Sequence, residues 1–317
     1  MSHVRPVLVL AGGLSHERDV SLRSGRRVAD ALNRAGTETH IRDVDPTLLS
    51  AIKNSRPEVI WPLLHGATGE DGALRDMLGS LGIAYVGSRP PSCRLTWDKP
   101  VAKALVHAAD ISTPASVALS HATFRELGAH AVLESVVDSL GLPLVVKPSR
   151  GGSALGLSIV RSAAELPSAM VAAYAYGDIV LIEQFVEGVE VAVSIVEDEH
   201  GEAQTLPPVE IVPDGGVYSY EARYTAGATE FFTPARLSGE AAASAAAVSL
   251  SVYRTLGHQH LSRVDLIIDG DGRPWFLEAN VSPGMTETSL LPMAVEAAGL
   301  DPSEVYAGIV ERALATG

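Results

Sequence analysis

Residues 263–280, RVDLIIDGDGRPWFLEAN, read as two strands, 263–268 and 275–280, joined by a Gly/Asp turn. Side chains two apart share one face of a strand, so Arg263 and Asp265 look the same way, as do Glu278 and Asn280. A two-residue turn at Asp271-Gly272, a dipeptide that hairpins favour, sets Asp265 opposite Glu278 and Arg263 opposite Asn280. Carboxylates facing one another across a ribbon repel unless a cation lies between them. An ordinary solvated hairpin accounts for one such pair. It accounts poorly for Asn280 and Arg263 on the same face, with apolar Leu266, Ile267, Phe276 and Leu277 in between. Hard oxygen ligands of this kind point to Mg²⁺ or Mn²⁺, which completes its shell with water and phosphate oxygen.

Upstream, 143–156 (PLVVKPSRGGSALG) ends a buried strand at Lys147 and enters a loop holding Gly151, Gly152 and Gly156. Such glycines let backbone N–H groups approach phosphate, with the lysine as a point charge. The lysine precedes the glycines and no helix follows, so the segment is not a P-loop. In 180–190 (VLIEQFVEGVE), Glu183 at a strand end and Glu190 past a turn read singly as solvated acids, and together as carboxylates able to accept hydrogen bonds from an adenine amine or ribose hydroxyls. At 11–21 (AGGLSHERDVS) the adjacent Gly12 and Gly13 lack the third glycine of a dinucleotide fingerprint, which argues against a dehydrogenase.

The remaining pattern predicts mixed α/β and α+β architecture in three lobes. Residues 1–97 alternate strand and helix, as an open parallel sheet does. Residues 98–184 begin with a helix whose apolar face is read as Val101, Ala104 and Leu105, then hold strands near 143–147, 157–160 and 179–182. Residues 185–317 hold strands at 191–196 and 209–212, a stretch at 214–234 read as a mobile loop, a helix at 241–257, the hairpin, and a last helix at 302–315. A 317-residue chain that is 46% hydrophobic can bury a substantial core. Its one cysteine excludes an internal disulfide and fits a reducing cytoplasm. A net charge of -14 argues against nucleic acid or anionic membrane as partners. No apolar run is long enough for a membrane span.

Together these segments resemble the D-alanine:D-alanine ligase family of the ATP-grasp superfamily. The matching motifs, in order, are AGGLSHERDVSLRSG, HGATGEDGALRDML with IAYVGS, DKPVAK, VVKPSRGGSALGLS, LIEQFVEGVEV, YSYEARYTAGATEFFTPA, SRVDLIID and LEANVSPGMTETSLLP. The resemblance implies an ATP-grasp fold with ATP between the central and C-terminal lobes, and ligation of two D-alanines through an acyl phosphate for peptidoglycan precursors. It implies that Lys99 and Lys147 contact ATP phosphates with Arg223 beside them, that Glu183 and Glu190 hold the adenosine, and that Asp265, Glu278 and Asn280 bind two Mg²⁺ ions. Glu17 is expected to bind the first D-alanine's ammonium, with His65 beside its carboxylate. Arg263 and the Gly284 backbone are expected to form the oxyanion site, and Ser289 with Leu290 to receive the second amino acid. Tyr224, Ser153 and Glu17 match a hydrogen-bonded triad, and members are often homodimers. Three departures stand out: Arg223 where lysine is usual, Gly151 and Ala154 in a loop that commonly reads E-G-S-S-V-G, and Ser262 before the arginine. An amide ligase with another acceptor is the alternative reading.

Overall fold

The first strands, β1 (Val7–Leu10) and β3 (Val59–Pro62), are buried on both faces, as parallel strands sheathed by helices are. The structure is a computed structural model and describes residues 6–198, 200–225 and 227–317, apart from the side chain of Tyr224. With β2 (Thr39–Arg42) and β4 (Ala84–Tyr85) these strands form a parallel sheet ordered β2-β1-β3-β4, as the sequence predicts. Between them run α1 (Arg18–Arg34), α2 (Leu48–Ser55), α3 (Ala67–Glu70) and α4 (Ala73–Ser80), and α5 (Pro90–Trp97) leads out of the lobe.

Helix α6 (Lys99–Ala108) is capped by the Asp98 carboxylate, which accepts from the Val101 N–H. Its inward stripe is Lys99, Ala102, Lys103 and Val106, not the face read from sequence, and Val101 is exposed. Ala102, Val106 and Ile111 join the core of the C-terminal sheet. The central lobe contains β5 (Ser116–Ser120), α7 (His121–Leu127), α8 (Ala129–Leu140), β6 (Leu144–Pro148), β7 (Ser158–Val160), α9 (Leu166–Tyr174) and β8 (Ile179–Gln184). Its sheet is antiparallel, ordered β5-β8-β6-β7, with the Gly/Ser loop joining β6 to β7.

The C-terminal sheet follows the order β12 (Thr229–Phe232), β11 (Val209–Pro213), β9 (Val189–Glu197), β13 (Leu261–Ile268) and β14 (Pro274–Asn280), with β10 (Ala203–Thr205) beside β9. Strands β9 and β13 (Leu261–Ile268) pair along their length and form its buried centre. The segment 214–234 is not a structureless loop. It contains α10 (Tyr220–Tyr224), capped by Ser219, and β12 (Thr229–Phe232), which pairs with β11 (Val209–Pro213). One helical turn and four strand residues are too short to show periodicity in sequence. Helix α11 (Gly239–Thr255) covers one face of the sheet. After β14 (Pro274–Asn280) come α12 (Leu290–Ala297) and α13 (Pro302–Thr316), and α13 packs Tyr306 and Ile309 into the N-terminal core near Trp61.

The hairpin reaches its predicted pairing by an unpredicted route. The turn is not two residues. Asp269 and Arg273 are bridged by backbone hydrogen bonding, Gly272 closes onto the Asp269 carbonyl, and the Asp269 carboxylate receives the Asp271 and Arg273 N–H groups. Alone, that longer turn would misalign the two acids by one residue. A bulge at Leu277 restores the register, so Leu266 pairs with Phe276 while Asp265 pairs with Glu278 and Arg263 with Asn280.

Candidate active site

Two cavities open along the C-terminal sheet, of about 370 and about 440 Å³, and share Lys99, Gly151, Gly152, Tyr218, Arg223 and Glu278. The first lies against the N-terminal lobe and is lined by Glu17, His65, Glu70, Ser153, Arg263, Asn280, Gly284, Ser289 and Leu290. The second lies between the central and C-terminal sheets. Val145, Ile159, Phe185, Ile267 and Leu277 give it apolar walls, and Lys147, Glu183, Glu190 and Asp265 give it charge. The Leu277 bulge lets consecutive residues Leu277 and Glu278 both face this cavity, which strict alternation forbids.

Asp265 and Glu278 are each met by a cation. Arg263 binds Asp265 with two hydrogen bonds, at 2.7 and 2.8 Å, and Lys99 Nζ lies 3.3 Å from Glu278. Burial pushes the Glu278 carboxyl up, but Lys99, Lys147, Arg223 and Arg263 together hold it at about 2. Asn280 Oδ1 accepts from the Ser282 N–H at 2.7 Å and retains a second lone pair. No group of three His, Cys, Asp or Glu side chains converges among the described residues. Two carboxylates and an amide oxygen nevertheless fit an ion that takes few protein ligands and fills its shell from phosphate and water.

In the second cavity, Lys99 Nζ donates to the Gly151 carbonyl at 2.6 Å and so ties α6 to the Gly/Ser loop. Arg150 of that loop is held by Asp98 at 2.9 Å. Ser153 and Ala154 are both left-handed, at φ 53° and 56°, a conformation that L residues rarely adopt. Glu183 is occupied by Lys147 at 2.5 Å and Lys103 at 2.8 Å. Burial works against its charged form, yet the two ammonium groups pull the carboxyl below the ordinary range. Glu190 has no such pair. Burial raises it to about 7 even though Arg223 opposes the shift. Arg223 stacks over the Tyr218 ring at 3.9 Å, where the cavities meet.

The first cavity gathers residues from distant parts of the chain. Ser153 donates to the Glu17 carboxylate across 136 positions of sequence. The Tyr224 side chain, expected to complete that group, lies outside the described residues. His65 is buried beside Glu17 and Arg263; burial lowers its pKa, and Glu17 opposes that shift. Its Nε2 has no hydrogen-bond partner among the described residues. Gly284 lies so close to Ser289 that a Cβ there would come within 2.7 Å of its hydroxyl. Ser262 looks into the core, on the other face from Arg263, and lines neither cavity. Sequence reasoning missed Lys103, Glu70 and Tyr218. Lys103 lay off the face assigned to its helix. Glu70, pushed up to about 8 by burial, gave no signal beyond its place after His65.

The family model described as "D-ala D-ala ligase C-terminus" matches residues 105–311. A D-alanine–D-alanine ligase of Bordetella petrii is 40% identical over 305 residues, covering 96% of this chain and 91% of its own. This chain belongs to the D-alanine–D-alanine ligase family. Its ATP-grasp fold is shared with the D-alanine–D-alanine ligase of Bacillus anthracis complexed with ATP, at TM-score 0.80 and 30% identity over 98% of both chains. The VanG D-Ala:D-Ser ligase of Enterococcus faecalis superimposes at TM-score 0.84 and 26% identity, covering 98% of this chain and 99% of its own. In this ligase the Arg223 departure places a planar guanidinium, stacked on Tyr218, where the family usually has an ammonium.

Proposed function

We propose that the chain joins two D-alanines in an ATP-dependent reaction, releasing ADP and phosphate and supplying D-alanyl-D-alanine for peptidoglycan precursors. The observation that carries this reading is the junction of the two cavities. Lys99, Gly152 and Arg223 line both, so the γ-phosphate of a nucleotide in the larger would meet there the carboxylate of an amino acid in the smaller. A carboxylate is a poor electrophile, so the first step transfers the γ-phosphoryl group to it, giving D-alanyl phosphate and ADP. Positioning and charge neutralisation by Lys99, Lys147 and Arg223 dominate that step. Asp265, Glu278 and Asn280 would hold Mg²⁺ or Mn²⁺, two ions in the Mg²⁺ case, and the bound metal supplies neutralisation of phosphate charge. The cations that now occupy the two carboxylates, Arg263 and Lys99, are then available to the substrates.

Glu17, held by Ser153, receives the first D-alanine's ammonium, and His65 lies beside its carboxylate. Glu183 and Glu190 face the adenosine. The second D-alanine, seated by Ser289 and Leu290, loses a proton from its ammonium to an oxygen of the acyl phosphate. Its amine then attacks the acyl carbon, the carbonyl electrons move onto oxygen, and Arg263 with the Gly284 N–H stabilises that oxyanion. Collapse re-forms the carbonyl and expels phosphate, which carries off the proton that the new amide nitrogen gives up. Tyr224, on the segment over the junction, completes the group with Ser153 and Glu17 and helps to keep water from the acyl phosphate. The cytoplasm is the proposed location, and a homodimer the proposed assembly.

Phosphate and ADP release with D-alanine but not L-alanine tests the reading, and silence with D-alanine refutes it. Asp265→Asn combined with Glu278→Gln is expected to abolish release, and retained turnover at ordinary Mg²⁺ would refute the metal assignment. The likeness to the D-Ala:D-Ser ligase supports a second reading, an amide ligase with another acceptor. Faster dipeptide formation with D-serine than with D-alanine as acceptor selects it.

A further inference from the structure

The inward stripe of α6 presents two lysines one turn apart. Like charges at that spacing repel, so each needs its own acid when buried. Lys99 meets Glu278 and the Gly/Ser loop, inside the cavities. Lys103 lines neither cavity. It reaches Glu183 from behind at 2.8 Å, its side chain 4% exposed and that of Glu183 2% exposed. Lys147 holds the other Glu183 oxygen from the cavity side at 2.5 Å. One buried carboxylate thus serves two ammonium groups, and the cluster carries one surplus positive charge. Burial lowers the Lys103 pKa, and Glu183 opposes that shift.

We propose that Lys103 is a positioning residue of the nucleotide site: it keeps Glu183 neutralised and so frees Lys147 to serve phosphate. Were Lys147 the sole counterion, its move toward a phosphate would strand a buried carboxylate, which is strongly unfavourable. With Lys103 in place the carboxylate keeps a partner whichever way Lys147 turns. The surplus charge also draws the phosphate tail into a molecule whose overall charge repels it. Without Lys103, Lys147 and Glu183 close into a neutral pair that ignores phosphate.

This inference rests on reading the larger cavity as the nucleotide site, and the test separates the two. ADP and adenosine are titrated calorimetrically into the wild-type chain, Lys103→Met and Lys103→Arg. Lys103→Met is expected to weaken ADP by about tenfold or more, which is about 1.4 kcal/mol, while adenosine stays within about twofold. Lys103→Arg, which keeps the charge, is expected to restore most of the ADP affinity. Equal weakening of both ligands indicates a merely structural role and overturns the proposal, as does unchanged ADP binding. A wild-type chain that binds neither ligand refutes the nucleotide reading itself, and this inference falls with it. Should Lys103→Met not fold, Lys103→Met combined with Glu183→Gln replaces it, since no carboxylate then competes for Lys147. The ratio of ADP to adenosine affinity should then stay within about threefold of wild type, and a loss of about tenfold overturns the proposal.

Discussion

Replacing Gly284 with alanine isolates one contact on which the acceptor side of the site depends. The added Cβ would stand 2.7 Å from Ser289 Oγ and 3.5 Å from Ser289 Cβ. Only the hydroxyl clashes. That hydroxyl is not free to swing, because it accepts from the Thr286 N–H at 2.9 Å and shares a hydrogen bond with Thr286 Oγ1 at 2.8 Å. Yielding forfeits both bonds, each worth about 1 kcal/mol net, so Gly284→Ala is expected to cost about 2 kcal/mol of folding stability. It should also raise the KM for the second D-alanine, because the same hydroxyl holds Thr286 beside the proposed acceptor site. In a Ser289→Ala background the bonds are already gone and the remaining contact is ordinary, so the same substitution should cost almost nothing. A double-mutant cycle by urea unfolding should therefore return a coupling energy of about 2 kcal/mol. Additive effects, within about 0.5 kcal/mol, would show that the two residues do not press on one another and would sink the steric account of Gly284.

Other expectations follow from the same geometry. Ser153→Ala removes a hydrogen bond to the Glu17 carboxylate, worth about 1.5–3 kcal/mol, and should lower kcat/KM for the first D-alanine by about 10- to 100-fold; unchanged steady-state kinetics would contradict it. Burial raises Glu70 to about 8 and Glu190 to about 7, above their ordinary 4.5. The folded chain therefore keeps protons that the unfolded chain releases. Each group's stability contribution is complete below pH 4.5 and is lost as pH rises through 7 for Glu190 and 8 for Glu70. The urea midpoint of the nucleotide-free protein should fall across that window, and Glu70→Gln with Glu190→Gln should flatten the fall. Arg223→Lys keeps the charge but loses the stacking on Tyr218, so its KM for ATP should rise less than that of Arg223→Met; equal rises would remove charge from the explanation.

Much of the fold was legible because it rests on local patterns. The parallel N-terminal sheet shows as apolar runs between helical periods, and the hairpin as the two-apart pairs Arg263 with Asp265 and Glu278 with Asn280. The hairpin pairing of Asp265 with Glu278 was read correctly through two compensating differences: the turn is longer than Asp271-Gly272 implies, and the Leu277 bulge absorbs the extra residue. A bulge depends on what the strand packs against, which no window of sequence displays. The helix and strand within 214–234 were missed because both are short and take their stability from neighbouring elements.

What the sequence determined by itself is most of the inventory: the longer strands and helices, the glycines of the loop after Lys147, and the pairs Arg263 with Asp265 and Glu278 with Asn280 that share a strand face. These follow from backbone sterics and from periodicity, which act over a few residues. Tertiary structure alone decided the long-range ion pairs. Lys103 shares Glu183 with Lys147, and Lys99 spans the Gly/Ser loop and Glu278. The charge that buried Glu183 carries is set by neighbours far away in the chain, Lys103 and Lys147. Desolvation and Coulomb attraction depend on distance in space, and sequence separation carries no measure of that.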